Sequence, residues 1–264
     1  MHRPAGVAVA PGKRTPVQPM AEFARAHRDP TASPYDVFYA RVAARQVSDW
    51  LTTAPGVVLD ASDGLACTTA IAAAAGHWVL RLVTPGVAAP RPAPRVSTVR
   101  ADLQVLGWLR DESIDVAVAD GDALAGCLAT ETTLAELARV LRPGGRLLLC
   151  VDSLVLGLAR LAEQGRWAEL ADASQAEVLL VPTGDGRMRR CFWPEELTLC
   201  LQQAGLHVEW VRSRTVLGRA AVERAMHNDP RAMDELVATE LAMAAGRVGE
   251  AAGNQLLASA YRPT

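Results

Sequence analysis

Apolar and polar positions follow two different periods along the chain. Short unbroken apolar runs predict strands that are buried on both faces, because a half-exposed strand would alternate. Between these runs apolar residues recur at helical spacing, and Gly76 and Gly205 stand where helix C-termini commonly carry glycine. The predicted strands are 57–60, 79–83, 96–99, 114–120, 146–151, 207–216 and 255–261, with 176–182 either a strand or irregular. The predicted helices are 35–51, an alanine-rich stretch that ends at 75, 133–141, 154–170, 194–204 and 229–247.

Strands that alternate with helices predict a parallel sheet covered by helices on both faces. No internal repeat or linker divides the sequence, so we predict one domain over residues 31–264, after a disordered leader over residues 1–30. Right-handed connections would place the carboxyl ends of the strands along one edge of the sheet, where we expect a ligand.

Composition narrows the classes of function. The chain has 264 residues, half of them hydrophobic, and a net charge of −2, which gives no basic surface for nucleic acid. It contains no run of about 18 apolar residues and no secretory signal, so we predict a cytoplasmic protein without a membrane span. Five widely spaced cysteines without a CxxC pair argue against a disulfide framework and against a metal site.

The strand and loop that begin at Val57 contain a recognisable motif. Three apolar residues lead to Asp60, and a loop with Ser62, Gly64 and Ala66 follows. This segment resembles the hydrophobic-hydrophobic-Asp-x-Gly-x-Gly-x-Gly motif of the class I S-adenosylmethionine-dependent methyltransferases, with Ser62 and Ala66 in place of the first and third glycines. Further segments that resemble this family are TLAELARVLRPGGRLLLCV (133–151), FWPEEL (192–197), QAGL (203–206) and LLASAYRP (256–263).

The resemblance covers residues 35–263 and implies both a fold and an activity. The implied fold is α/β, a Rossmann-like doubly wound sheet of seven mostly parallel strands with an antiparallel last strand, in three αβα layers. The implied activity is methyl transfer from S-adenosylmethionine to a small-molecule acceptor of the secondary-metabolite type.

The same resemblance suggests which residues hold the cofactor. Asp60, Ser62 and Gly64 would form a loop that the ligand approaches closely, because small residues leave the backbone accessible. The alternative is a tight turn kept only for packing. The family's ribose-binding acid falls at Val83 in this sequence, so Thr84 is the neighbouring hydroxyl that could accept a hydrogen bond instead.

Other positions at strand ends complete the predicted site. Asp102, with Leu103 beside it, would hold the adenine, although Asp102 could instead be the N-cap of a helix over 103–109. Asp120 would be a base or a hydrogen-bond acceptor for the substrate, with a loop cap as the alternative. Tyr35 and Tyr39 lie one helical turn apart, and one of them would close over the pocket unless both serve only in packing.

Two features leave alternatives open. Arg187, Arg189 and Arg190 crowd a predicted loop, which would either favour an acidic substrate or simply be solvated. The alanine-rich helix near the C-terminus could cover the sheet or form the contact of a homodimer.

Three functions follow from these observations. The first is a methyltransferase that acts on a small molecule. The second is a cyclase or isomerase on the same scaffold, suggested by the altered glycine loop and the missing ribose acid. The third is a catalytically silent partner protein. A shared fold does not by itself decide between them.

Overall fold

The computed structural model describes residues 32–51, 54–62, 67–84, 92–120, 123–124, 127, 129–173, 178–183, 186–245 and 253–264. The leader predicted for residues 1–30 lies outside these ranges. The strands are β1 (Val57–Asp60), β2 (Trp78–Val83), β3 (Val96–Arg100), β4 (Ile114–Ala119), β5 (Leu141–Ser153), β6 (Leu179–Pro182), β7 (Met188–Phe192), β8 (His207–Ser213) and β9 (Gln255–Tyr261). The helices are α1 (Pro34–Trp50), α2 (Cys67–Ala74), α3 (Thr130–Val140), α4 (Leu154–Glu163), α5 (Trp167–Asp172), α6 (Pro194–Gln203), α7 (Arg219–Asn228) and α8 (Met233–Ala245).

The strands form one mixed sheet. Its first five strands run parallel in the order β3-β2-β1-β4-β5, and β9 lies antiparallel beside β5 with β8 antiparallel outside it. The predicted doubly wound α/β fold with an antiparallel last strand is confirmed. The described residues contain nine strands rather than seven, because β6 and β7 form an additional antiparallel hairpin.

The additional hairpin lies beyond the carboxyl end of β4, along the same edge of β5. Asp152 near the end of β5 pairs with Gln255 of β9 and with Cys191 of β7, so these two partners lie on opposite edges of β5. Strand β4 pairs along the β7 side and ends at Ala119, opposite Leu149. We call residues 154–192, which contain α4, α5 and the hairpin, the cap. The cap therefore extends the sheet beyond the carboxyl end of β4.

Several local predictions were wrong for identifiable reasons. The single helix predicted over 154–170 is split into α4 and α5 at Gly165, whose φ of +66° is incompatible with a continuous helix. Pro143-Gly144-Gly145, which lie between the helix predicted over 133–141 and the strand predicted over 146–151, are part of β5, where Gly144 has a φ of +76° and the pairing with β4 shifts register. Helix α7 was not predicted.

The two faces of the sheet bury different side chains. One face packs Leu59, Ala117 and Leu147 into the largest apolar cluster, beneath α3 and α6. The other face packs Val58, Val118, Leu148 and Leu257 against Val47 and Trp50 of α1 and Ala72 of α2. Because side chains alternate along a strand, Asp60, Asp120 and Cys150 continue this second face. The C-terminal helix α8 packs on α1 through Val237, rather than directly on the sheet.

We expect Gly157→Ala to destabilise the contact between α4 and the hairpin. A Cβ at Gly157 would lie 2.8 Å from Cys191 Sγ and 2.9 Å from Leu179 Cδ2. Overpacking costs about 1–3 kcal/mol, while helix propensity returns up to about 1 kcal/mol, so we expect a net loss of about 1 kcal/mol in a urea titration. The control is Gly107→Ala, whose Cβ would have no atom within 4 Å. Equal stability of the two variants would contradict the described packing.

Candidate active site

The candidate site lies at the carboxyl ends of the central parallel strands. Asp60 ends β1, Asp120 directly follows β4, and Cys150 lies near the end of β5. All three side chains are on the sheet face that α1 covers, and all three are buried. Cys67, the first residue of α2, is also buried. Burial, together with the nearby charge of Asp120, raises the pKa of the Cys67 thiol to about 12.

The carboxylate of Asp60 organises the start of the loop after β1. The Ser62 backbone N–H donates to Asp60 Oδ1 at 2.9 Å, and the Thr69 hydroxyl of α2 donates to Oδ2. Arg81 of β2 donates through Nε to the Thr69 oxygen at 2.8 Å. Burial raises the pKa of Asp60, while Thr69, Ser62 and Arg81 act in the opposite direction. Asp60 thus holds the strand, the loop and α2 together. Gly64 lies outside the described residues.

The end of β2 presents no carboxylate. Val83, the position of the family's ribose-binding acid, is buried at 7% exposure, and Thr84 beyond it is exposed. The one charged side chain within β2 is Arg81, which is directed to Thr69 and Asp60. The site therefore differs from the family pattern at this strand in structure as well as in sequence.

Asp120 forms a buried ion pair that the sequence did not predict. Arg214, directly after β8, donates from Nη2 to Asp120 Oδ2, and neither side chain is more than 1% exposed. Arg214 Nη1 donates to Gln46 Oε1 of α1 at 2.8 Å, and Gln46 Nε2 donates to the Arg214 carbonyl at 3.0 Å. Burial disfavours the charge of Arg214, but Asp120, Cys150 and Tyr39 outweigh it and raise the pKa of Arg214. One guanidinium thereby connects α1, β4 and β8.

The two tyrosines of α1 have different surroundings, and Tyr39 is the one that lies beside this ion pair. Tyr39 places its hydroxyl 4.0 Å from Cys150 Sγ, and burial raises the pKa of Tyr39 well above its ordinary value. Tyr35 lies 3.4 Å through its hydroxyl from Thr215 Oγ1, and the Arg219 guanidinium lies 4.8 Å from its ring. Helix α1 thus covers the strand ends with Tyr39 on the side of the site.

Asp102 and Leu103 lie apart from this cluster. Asp102 is exposed after β3, and its Oδ1 accepts from the Gln104 backbone N–H at 2.9 Å. This contact caps a turn, since residues 103–109 form turns rather than the helix that was considered. Leu103 is buried in the cluster on the opposite face of the sheet. The structure thus brings Asp60, Ser62, Asp120 and Tyr39 together. Asp102 lies apart from them, after the outermost parallel strand β3.

The arginines of the predicted loop belong partly to β7. Arg189 lies 3.5 Å through Nη1 from the buried Asp152 Oδ2, which also accepts from Arg160 of α4 at 2.6 Å. Arg190 is itself buried and donates to Glu131 and Glu196, at 2.8 Å each. These pairs attach the cap to β5, α3 and α6. Neither arginine side chain is simply solvated, as one interpretation of the sequence had it.

Sequence reasoning missed Arg214 and Gln46. A weak signal for Gln46 was present, because it lies four residues before Trp50 and four after Val42, on the buried face of α1. Arg214 gave no such signal, since it follows a strand at the edge of the sheet.

The described residues lack the features of two other kinds of site. Within the described ranges, no three His, Cys, Asp or Glu side chains are grouped to hold a metal ion. No helix in the described part of the chain is both long and apolar enough to cross a bilayer.

Comparison with known proteins gives the family. The methyltransferase domain family matches residues 80–149. The demethylmenaquinone methyltransferase of Mycolicibacterium paratuberculosis is 30% identical over an alignment of 189 residues, and the alignment covers 66% of this chain and 76% of the relative.

Solved structures share the fold. The 1,6-didemethyltoxoflavin-N1-methyltransferase of Burkholderia thailandensis has a TM-score of 0.55 at 21% identity, over 97% of this chain and 95% of its own. A putative S-adenosylmethionine-dependent methyltransferase of Listeria monocytogenes has a TM-score of 0.59 at 13% identity, over 85% of this chain and 99% of its own. This chain belongs to the class I S-adenosylmethionine-dependent methyltransferases, and S-adenosylmethionine is its cofactor.

Proposed function

We propose that this chain transfers a methyl group from S-adenosylmethionine to a small-molecule acceptor of the secondary-metabolite type. The observation that carries the proposal is the buried cluster at the ends of β1, β4 and β5, which lies beneath α1 and beside the cap. The relatives support a small acceptor, since one is named for demethylmenaquinone and another was crystallised with 1,6-didemethyltoxoflavin and S-adenosylhomocysteine.

The carboxylate and hydroxyl groups at the strand ends fit the hydrogen-bonding groups of the cofactor. S-adenosylmethionine carries an amine, ribose hydroxyls and an adenine amino group, which carboxylate and hydroxyl oxygens bind well. When bound, the cofactor supplies an electrophilic methyl group at a sulfonium. We assign the cofactor to the sheet edge that Asp60 organises. The other residues in this assignment are Ser62, Gly64, Thr84, Asp102, Leu103, Tyr35 and Tyr39.

The residues at the strand ends align the reactants rather than carry out a separate chemical step. Methyl transfer by direct displacement depends on alignment and on exclusion of water. Helix α1 and the cap exclude water from the two sides of the β4 end. Asp120 acts as a hydrogen-bond acceptor that orients the acceptor molecule, and the pairing with Arg214 holds its carboxylate in place.

We expect Val83→Asp to increase the affinity for S-adenosylhomocysteine about tenfold. The introduced carboxylate would accept from both ribose hydroxyls, and a charged hydrogen bond is worth about 1.5–3 kcal/mol, part of which offsets desolvation. The matched control is Val83→Asn, which has the same size but no charge, and it should gain less. Calorimetric titration measures both variants. An Asp variant that binds no more tightly than the Asn variant would contradict the assignment of Val83 to the ribose.

The experiment that tests the proposed function is transfer of a labelled methyl group from S-adenosylmethionine to a panel of acceptors. The panel contains demethylmenaquinone, 1,6-didemethyltoxoflavin and related hydroxylated quinones and nitrogen heterocycles. We expect a methylated product from at least one of them. Binding of the cofactor without any methylated product would instead support the cyclase or isomerase, which the absence of a carboxylate at Val83 favours.

A further inference from the structure

The Asp120–Arg214 pair places two opposite charges inside the site with almost no access to water. Both side chains are at most 1% exposed, and the pair is neutral as a whole. The Nε–H of the Arg214 guanidinium is buried and donates to no acceptor among the described residues. Removal of either partner would therefore change the net charge at the end of β4 by one unit.

Few other charges face the pair. The titratable groups around it are Tyr39 from α1, Cys67 from α2, Asp60 from β1, Cys150 from β5 and Arg212 from β8. Burial raises the pKa of Cys67 and of Cys150 to about 12, so both thiols are neutral at ordinary pH. Tyr39 is neutral for the same reason. Asp60 and Arg212 are the remaining charged groups around the pair, and Asp120 and Arg214 supply the charges directly at the end of β4.

The two forms of the cofactor differ in charge, which is the property that this pair affects. S-adenosylmethionine carries a positive charge at sulfur, and S-adenosylhomocysteine, which remains after methyl transfer, lacks it. Because the pair is neutral as a whole, it exerts little net attraction or repulsion on the positively charged donor. We propose that Arg214 is the positioning residue that sets the charge of the methyl-transfer site, by orienting Asp120 and cancelling its charge; this rests on the proposed function.

The test compares the affinities for S-adenosylmethionine and S-adenosylhomocysteine in two variants with opposite charge changes. Asp120→Asn removes the carboxylate that faces Arg214 and should weaken S-adenosylmethionine about tenfold more than S-adenosylhomocysteine, because the remaining guanidinium would repel the sulfonium in a site of low dielectric constant. Arg214→Gln removes the guanidinium charge that faces Asp120 and should shift the ratio the other way.

Two control proteins separate charge from structure. Arg214→Lys retains the cation and should keep the ratio within about threefold of wild type. The double variant Asp120→Asn, Arg214→Gln lacks both charges and should also return the ratio to the wild-type value. If Asp120→Asn does not fold, the shift of the ratio in Arg214→Gln carries the test.

The outcomes are distinguishable by calorimetry at constant pH. Shifts of the ratio in opposite directions support the proposal. Equal weakening of both ligands in both single variants would overturn it and leave the pair a purely structural contact. Failure of the wild-type chain to bind either ligand would overturn the proposed function, and with it this proposal.

Discussion

Replacing Arg214 with methionine is expected to lower the free energy of unfolding by about 3–5 kcal/mol, the effect of removing one partner from a buried ion pair. The substitution leaves the carboxylate of Asp120 buried without its cation, and it removes the hydrogen bond to Gln46 that fastens α1 to the strand ends. Domains are commonly stable by only about 5–15 kcal/mol, so this loss is a large share of the total. Urea unfolding followed by circular dichroism measures it.

Two comparisons accompany this prediction. Arg45→Met removes an exposed pair with Asp49 on the same helix, and should change the stability by less than about 0.5 kcal/mol. Adding Asp120→Asn to Arg214→Met should recover most of the lost stability, because the combination leaves no uncompensated charge. A loss of less than about 1 kcal/mol for Arg214→Met would show that the pair is not formed as described.

Replacing Asp60 with asparagine is expected to weaken binding of S-adenosylhomocysteine by roughly tenfold to hundredfold, equivalent to about 1.4–2.7 kcal/mol. The carboxylate accepts from the Ser62 backbone and from the Thr69 hydroxyl, and an amide can accept on only one side. The variant would then lose one of these two hydrogen bonds, which connect the end of β1 to Ser62 and to α2. Calorimetric titration at constant pH measures the change.

The matched control for Asp60→Asn is Thr69→Ser, which keeps the hydroxyl that donates to the carboxylate. We expect this variant to bind within about threefold of wild type, since the hydrogen bond is retained. Asp102→Asn is expected to have a smaller effect than Asp60→Asn, because Asp102 is exposed and caps a turn. An Asp60→Asn variant that binds as tightly as wild type would remove this loop from the cofactor site.

The central strands were predictable because their sequences are continuous apolar runs that can only be buried in a covered sheet. Strand β9 was predicted with the bounds it has in the structure, at 255–261. Strand β7 was missed because its sequence, Met-Arg-Arg-Cys-Phe, reads as polar. Each of its arginines becomes acceptable in a strand only through acids elsewhere in the chain, Asp152 for Arg189 and Glu131 and Glu196 for Arg190.

The positions of the site residues could be predicted from the sequence, but their ion-pair partners could not. Parallel strands bring their carboxyl ends to one edge, so Asp60 and Asp120 could be placed near each other from the sequence. The partner of Asp120 lies 94 residues away, after a strand whose edge position no local pattern reveals. An ion pair of this kind depends on the completed fold, and periodicity carries no information about it.

The most direct test of the account is calorimetric titration of the purified chain with S-adenosylmethionine and with S-adenosylhomocysteine. We predict that both bind with Kd values in the micromolar range, despite Ser62 in the glycine loop and Val83 at the end of β2, and that Asp60→Asn weakens both. Absence of binding at millimolar concentrations of either ligand would contradict the cofactor site at the ends of β1 and β4.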